Sequence, residues 1–363
     1  MSALSNPISR RQSALTTEAQ RYAWWLGKRS VFIRKLIALS GWRLSRRLLR
    51  LCGRPPGALN WPLGLAFLFL NASPAKVRPN LAWVERAFSG LIDEQGELLL
   101  QTLHIDMSGL AYAALRLYEL RENPKYLNFA NKLAQQLFEQ QGADNGMIPY
   151  TMGRTEVLID TVGFICPFLA RLSRISGNDQ HAGLALRQLE TFLHHSVGKT
   201  SDWPAHAFDA RNLKRIGLRG WGRGSAWLLL GITDTLMELP PGPAQDKLIQ
   251  LADAWLQKFA GAQRPDGHWS WYLEMPSATL DSSVTALVYY CLERLIKADY
   301  PEFKKYFPLL DSCRKAIHGV SLKTGHVAHA SGEAFGIGLY NSGTGNYLWA
   351  LGPVAAAELL AHN

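Results

Sequence analysis

The stretch "RGSAWLLLGITDTLMEL", residues 223–239, opens on an arginine and a glycine and then runs apolar almost without a break. Arg223 and Trp227 stand four apart, so on a helix they share one face. Four further segments begin small or polar and turn apolar at helical spacing. They are "DMSGLAYAALRLYEL" from 106, "DTVGFICPFLARLSRI" from 160, "DSSVTALVYYCLERLI" from 281 and "SGTGNYLWALGPVAAAELL" from 342. Successive starts lie 54, 63, 58 and 61 residues apart, the interval of a repeated helical hairpin. A second helix follows each of the first four, for example "KYLNFANKLAQQLFEQQ" at 125–141 and "DKLIQLADAWLQKFA" at 246–260. These alternate apolar and charged residues, as half-exposed helices do.

Loops with Asp, Gly or an aromatic residue return the chain to each new apolar helix: "DNGMIPY" from 144, "DWPAHAFD" from 202, "DGHWSWY" from 266 and "TGHVAHA" from 324. No run of alternating strand residues interrupts the pattern. The arrangement predicts an inner ring of apolar helices inside an outer ring of amphipathic ones. Five inner helices are visible; a sixth, or the outer helix that closes the ring, must come from residues 20–100. The polar starts of the inner helices would gather at one end, with unpaired backbone donors facing a shared cavity.

The net charge of +10 is unevenly placed. Residues 1–57 carry twelve Lys or Arg and one acid, so the remainder sums to −1. The expected division is therefore a basic segment, 1–57, ahead of a barrel domain, 58–363. A neutral body argues against nucleic acid as a partner. Within the segment, "RLSRRLLRL" from Arg43 places its arginines opposite its leucines. Two readings stay level: a peripheral membrane contact through residues 20–52, or an outer helix of the fold. No apolar run is long enough to span a bilayer. The four cysteines are scattered, with no CxxC pair, which suits neither a disulfide framework nor a zinc site and points to the cytoplasm.

Three motifs carry a resemblance. "WGRGSAW" (221–227), "LIDTVGFICPFLARL" (158–172) and "DSSVTALVYYCL" (281–292) resemble the unsaturated glucuronyl and rhamnogalacturonyl hydrolases, glycoside hydrolase families 88 and 105. The likeness runs over about residues 95–355. It implies an all-α (α/α)6 toroid that acts on a 4,5-unsaturated uronic acid at the end of an oligosaccharide or polysaccharide. In those enzymes an aspartate protonates C4 of the vinyl ether and assists water at C5. That reaction needs no cofactor and no metal, and none is expected; the sequence holds no phosphate-cradling glycine loop and no nucleophile elbow.

The resemblance places Asp160 on the catalytic aspartate; without it, Asp160 reads as a helix N-cap. Asp106 falls on a second aspartate that contacts the sugar, with His104 able to exchange roles with it and capping the plain alternative. Arg223 offers a planar fork suited to a uronate carboxylate, and Trp227 a face for the sugar or a wall; the glycines around Arg223 permit close approach. His206 resembles a histidine that contacts substrate. His268 and Trp269 lie in an aromatic loop where a tryptophan can form a sugar platform, and Thr344 starts the fifth inner helix, lining the cavity or capping. The competing function is a component of exopolysaccharide synthesis that binds or trims glycan at the inner membrane face. A sugar epimerase would need several cavity histidines, such as His206, His268 and His326.

Overall fold

The computed structural model describes residues 7–26, 61–99, 103–142, 145–197, 203–341 and 343–361. The arginine-rich stretch from Arg43, most of 20–52, and Asp144, Asp202 and Ser342 lie outside them.

In chain order the main helices are α1 (Pro7–Leu26), α2 (Trp61–Ala66, extended by a 3-10 turn, Phe67–Asn71), α3 (Leu81–Ser89), α4 (Ser108–Arg121), α5 (Pro124–Glu139) and α6 (Ile159–Ser176). They continue with α7 (Asp179–Ser196), α8 (Gly222–Leu236), α9 (Pro243–Gly261), α10 (Ser282–Lys297), α11 (Phe307–Gly319) and α12 (Leu348–Ala361). The even-numbered helices form the inner ring: α2 packs on α4, α4 on α6, and so on to α12, which returns to α2. The odd-numbered helices lie outside. This is the double ring that the repeat predicted, and the (α/α)6 toroid that the resemblance implied.

Apolarity all round explains the inner position: α8 buries every residue from Gly222 to Leu236, whereas α5 and α9 bury one stripe. Glycine lets the inner helices approach closely. A Cβ on Gly163 would stand 2.5 Å from the Trp227 carbonyl oxygen, one on Gly352 2.6 Å from that of Leu65, and one on Gly64 3.0 Å from the Gly109 backbone.

The sixth inner helix is α2, and the sixth outer helix is α1, which rests on α12, α2 and α3. Residues 7–26 thus pack as part of the ring, on the far side of the boundary expected at residue 57. Ala14, Leu15, Ala19 and Ala23 of α1 are buried. The buried Arg11 bonds Glu358 of α12 at 2.8 Å, the Ser321 hydroxyl at 2.9 Å and the Gly325 carbonyl at 3.0 Å. No helix among the described residues is long and apolar enough to cross a membrane.

Where the inner helices end, the ring is filled by a buried ionic network. Arg171 of α6 bonds Glu238 and the Tyr112 carbonyl, Tyr112 donates to Glu238, and Arg294 of α10 pairs with Asp234 of α8. Where they begin there is a small antiparallel sheet that the sequence pattern did not show: β1 (Glu156–Leu158), β2 (Ala205–Asp209) and β3 (Arg215–Arg219). β2 is buried except at its end, so it carries no alternation. In the β2–β3 register Ala207 faces Ile216 but Ala205 faces Arg219, so two residues, Gly217 and Leu218, bulge opposite His206. Strands β4 (Ala330–Ser331) and β5 (Thr344–Gly345) pair nearby.

Candidate active site

A cavity of about 210 Å³ opens where the inner helices begin. Its wall unites Asp106, Asp160, His206, Arg223 and Trp227 with Trp61, Tyr150, Leu158, Phe164, Trp221 and the loop 333–336.

Asp160 is delivered by the junction of β1 and α6. Leu158 occupies the N-cap position with extended backbone, so Asp160 stands inside the first turn and does not cap. Its side chain is 25% exposed. Oδ1 is buried and has no hydrogen-bond partner among the described residues. Facing it at 3.5 Å is Nε2 of His206, a nitrogen equally buried and equally without a partner there.

Asp106 lies on the 3-10 turn Ile105–Met107 ahead of α4. His104 does the capping, its Nδ1 accepting the Asp106 N–H at 3.2 Å, which leaves the aspartate to the cavity. There Oδ2 accepts the Tyr150 hydroxyl at 2.9 Å. Burial, then the charges of Asp106 and Asp160, push the Tyr150 pKa far above its ordinary value, so that hydroxyl remains a donor. Burial disfavours charge on His104, but the Asp106 carboxylate outweighs it and raises the histidine.

Arg223 enters the cavity wall with much of its fork already engaged. Nη1 donates to the carbonyl and hydroxyl of Ser331, and Nη2 to the Gly332 carbonyl at 2.8 Å. Asp281 lies 3.8 Å away as a fully buried counterion. Burial pulls the guanidinium pKa down, against the attraction of Asp281, Asp160 and Glu333. Asp281 also caps α10 through the Ser283 N–H and accepts the Ser331 hydroxyl. The arginine thereby ties the start of α8 to the segment that carries the loop 333–336. Three of its five donors are used, so the free bidentate fork expected for a carboxylate is not what the fold presents. The flanking glycines serve protein packing: a Cβ on Gly224 would strike the Trp221 ring at 2.4 Å, and one on Gly222 the Ser270 carbonyl at 2.7 Å. Trp227 is a buried wall, 4.0 Å between centroids from Phe164 and edge-on to Trp61.

Three expected contacts lie elsewhere. Trp269 is fully buried and its indole donates to the Phe259 carbonyl at 2.8 Å; it fills the core and forms no sugar platform. His268 is buried against Thr285 at 3.0 Å, with burial lowering its pKa. Thr344 is an exposed strand residue paired with Ser331. Conversely, Trp61, Tyr150, Trp221 and Glu333 line the cavity without having been expected there. Trp61 opens the inner helix that the repeat left unplaced, Trp221 directly precedes the motif, and Tyr150 closes the quoted loop "DNGMIPY". No signal marks Glu333. Among the described residues no three His, Cys, Asp or Glu side chains meet as a metal site requires.

The family model for Glycosyl Hydrolase Family 88 matches residues 58–343. The chain belongs to that family. Its fold is shared by a possible member of glycoside hydrolase family 105 from Salmonella enterica subsp. enterica serovar Paratyphi A, with a TM-score of 0.73 at 16% identity over 83% of this chain and 82% of the other. The family 105 hydrolase of C. acetobutylicum gives 0.71 at 15%, covering 83% and 93%. The unsaturated glucuronyl hydrolase of Bacillus sp. GL1, described as responsible for the degradation of glycosaminoglycan, gives 0.61 at 19%, covering 83% and 85%. No curated protein matches the sequence.

Proposed function

We propose that the cavity hydrates the vinyl ether of a 4,5-unsaturated uronic acid at the non-reducing end of an oligosaccharide. One observation carries the reading: Asp160 caps nothing, leaves Oδ1 without a hydrogen-bond partner among the described residues, and faces His206 inside an aromatic cavity. A buried polar atom with no structural partner is costly, and such sites are where function resides. In the proposed reaction, protonated Asp160 gives its proton to C4. Water meets the positive charge that develops at C5, and its proton returns to the Asp160 carboxylate. Water is then added across C4=C5, and the resulting hemiketal opens to free the neighbouring sugar. Asp106, oriented by Tyr150, accepts a sugar hydroxyl, and Trp61 and Trp221 flank the ring. Cytoplasmic residence belongs to this reading, since Cys166, Cys291 and Cys313 are buried free thiols.

The competing reading is a glycan-binding component of polysaccharide synthesis. It draws support from charge: Asp106, Asp160 and Glu333 stand against one guanidinium in the lining, an unusual balance for an anionic sugar. The test is ultraviolet absorbance of the conjugated double bond in lyase-generated oligosaccharides. Loss of absorbance with the wild type and not with Asp160→Asn supports hydration. If glucuronan, glycosaminoglycan and rhamnogalacturonan fragments all survive while intact glycan binds, the binding reading replaces it.

A further inference from the structure

The bulge between β2 and β3 has a chemical use. Gly217, with φ +79°, is its left-handed residue, the conformation that glycine adopts without strain. The bulge takes the Leu218 N–H out of the strand ladder, and that N–H donates to the Tyr340 hydroxyl oxygen at 2.9 Å. On its other side Tyr340 stands 2.8 Å from Nδ1 of His206. The fit is close: a Cβ on Gly217 would lie 2.9 Å from the His206 Cβ and 3.0 Å from the Tyr340 oxygen.

A phenol has one proton and two lone pairs. The Leu218 N–H takes one lone pair; Nε2 of His206 faces a carboxylate oxygen and so carries a proton, which leaves Nδ1 of the neutral ring to accept the Tyr340 proton. We infer that Tyr340 is a positioning residue: it donates to Nδ1 of His206, fixes the neutral tautomer with the proton on Nε2, and aims that N–H at Oδ1 of Asp160. The partner of one ring nitrogen sets the protonation of the other. Nε2 lies 3.5 Å from Oδ1, a separation of the kind that catalytic hydrogen bonds close in a substrate complex. With Oδ1 held by a donor, Oδ2 is the oxygen that carries the proton given to C4. The assignment of a proton to Oδ2 rests on the hydration reading; the tautomer does not.

The experiment is therefore read first without substrate. Histidine labelled with nitrogen-15 in the full chain reports the tautomer of each ring by NMR, with His206→Gln identifying the His206 signals. The expected result is an unprotonated Nδ1 and a protonated Nε2 in the wild type, and a mixed or reversed tautomer in Tyr340→Phe. On unsaturated uronides, Tyr340→Phe should lower kcat roughly 10- to 100-fold, the scale of a lost outer partner of a catalytic histidine, with KM little changed. A wild-type proton on Nδ1 overturns the inference, and so does an unchanged tautomer in Tyr340→Phe. If the tautomer is as assigned but no unsaturated uronide is consumed, the hydration reading fails and the positioning of His206 stands. Loss of the native circular dichroism in Tyr340→Phe would move the test to Gly217→Ala. There the tautomer must shift, because the added methyl presses on both His206 and Tyr340; its persistence overturns the inference.

Discussion

Asp160 and Arg223 show how two charged residues at equivalent helix starts come to different ends. Asp160 keeps an oxygen with no hydrogen-bond partner among the described residues beside the cavity, while Arg223 is bound to Ser331 and Gly332. Replacing Asp160 with Asn removes the proton that the reaction needs and leaves the shape intact. The expected outcome is a fall in kcat/KM of roughly 10²- to 10⁴-fold, read by absorbance, with an unchanged melting temperature. Replacing Arg223 with Lys keeps the charge but not the fork. The Ser331–Gly332 backbone then loses donors, and the change should lower the melting temperature as well as activity. A variant of unaltered melting temperature with weakened KM alone would return Arg223 to direct substrate binding. The sequence revealed Arg223 and Trp227 as a pair but not the partners of the arginine. Those are two carbonyls and one serine hydroxyl more than a hundred residues away, and backbone groups leave no mark in a sequence.

Among the elements, the crossing of α6 and α8 and the network at the far end of the ring carry the clearest consequences. Gly163 sits three residues after Asp160, against the Trp227 carbonyl. Gly163→Ala puts a methyl against rigid backbone; overpacking of this kind costs about 1–3 kcal/mol or more, measurable by urea unfolding, and the displaced α6 should lower activity too. At Glu238 burial alone would raise the pKa, but Arg171, ahead of Arg174 and Arg294, pulls it to about 2. A folded value below the unfolded one stabilises the protein above the unfolded pKa, near the ordinary 4.5. That contribution is lost as pH falls from there toward 2. Glu238→Gln leaves Arg171 buried without its charge partner and should cost ~3–5 kcal/mol at neutral pH. Melting curves of this variant should lose most of the acid dependence that the wild type shows in that window. The inner helices were legible because they are apolar on every side and recur at a regular interval. The placement of His268 and Trp269 was not, since an irregular aromatic loop does not say which side faces the core. Glu333 and Tyr340 lie on a loop without periodicity of any kind.

For the whole molecule, the ring is closed by helices from opposite ends of the described chain. α1 was hidden by its composition: of the four buried apolar residues among those whose side chains are described, three are alanines, a weak signal beside so many cations. Arg11→Ala should destabilise the toroid by about 1.5–3 kcal/mol, the range for hydrogen bonds to charged groups, read by urea unfolding. A change below 0.5 kcal/mol, the range of an ordinary surface site, would mean that α1 is dispensable to the ring. The same seam bears on how the protein is made. Synthesis delivers α1 before every other helix of the toroid and α12 after all of them, and domains assemble as they emerge. The apolar stripe of α1 and the inner face of α2 therefore lack their full set of partners until α12 emerges. This late seal gives the nascent chain a long interval of exposed apolar surface. Slow translation of the segment that leads to α12 lengthens that interval and should raise chaperone demand while leaving the stability of the finished ring unchanged.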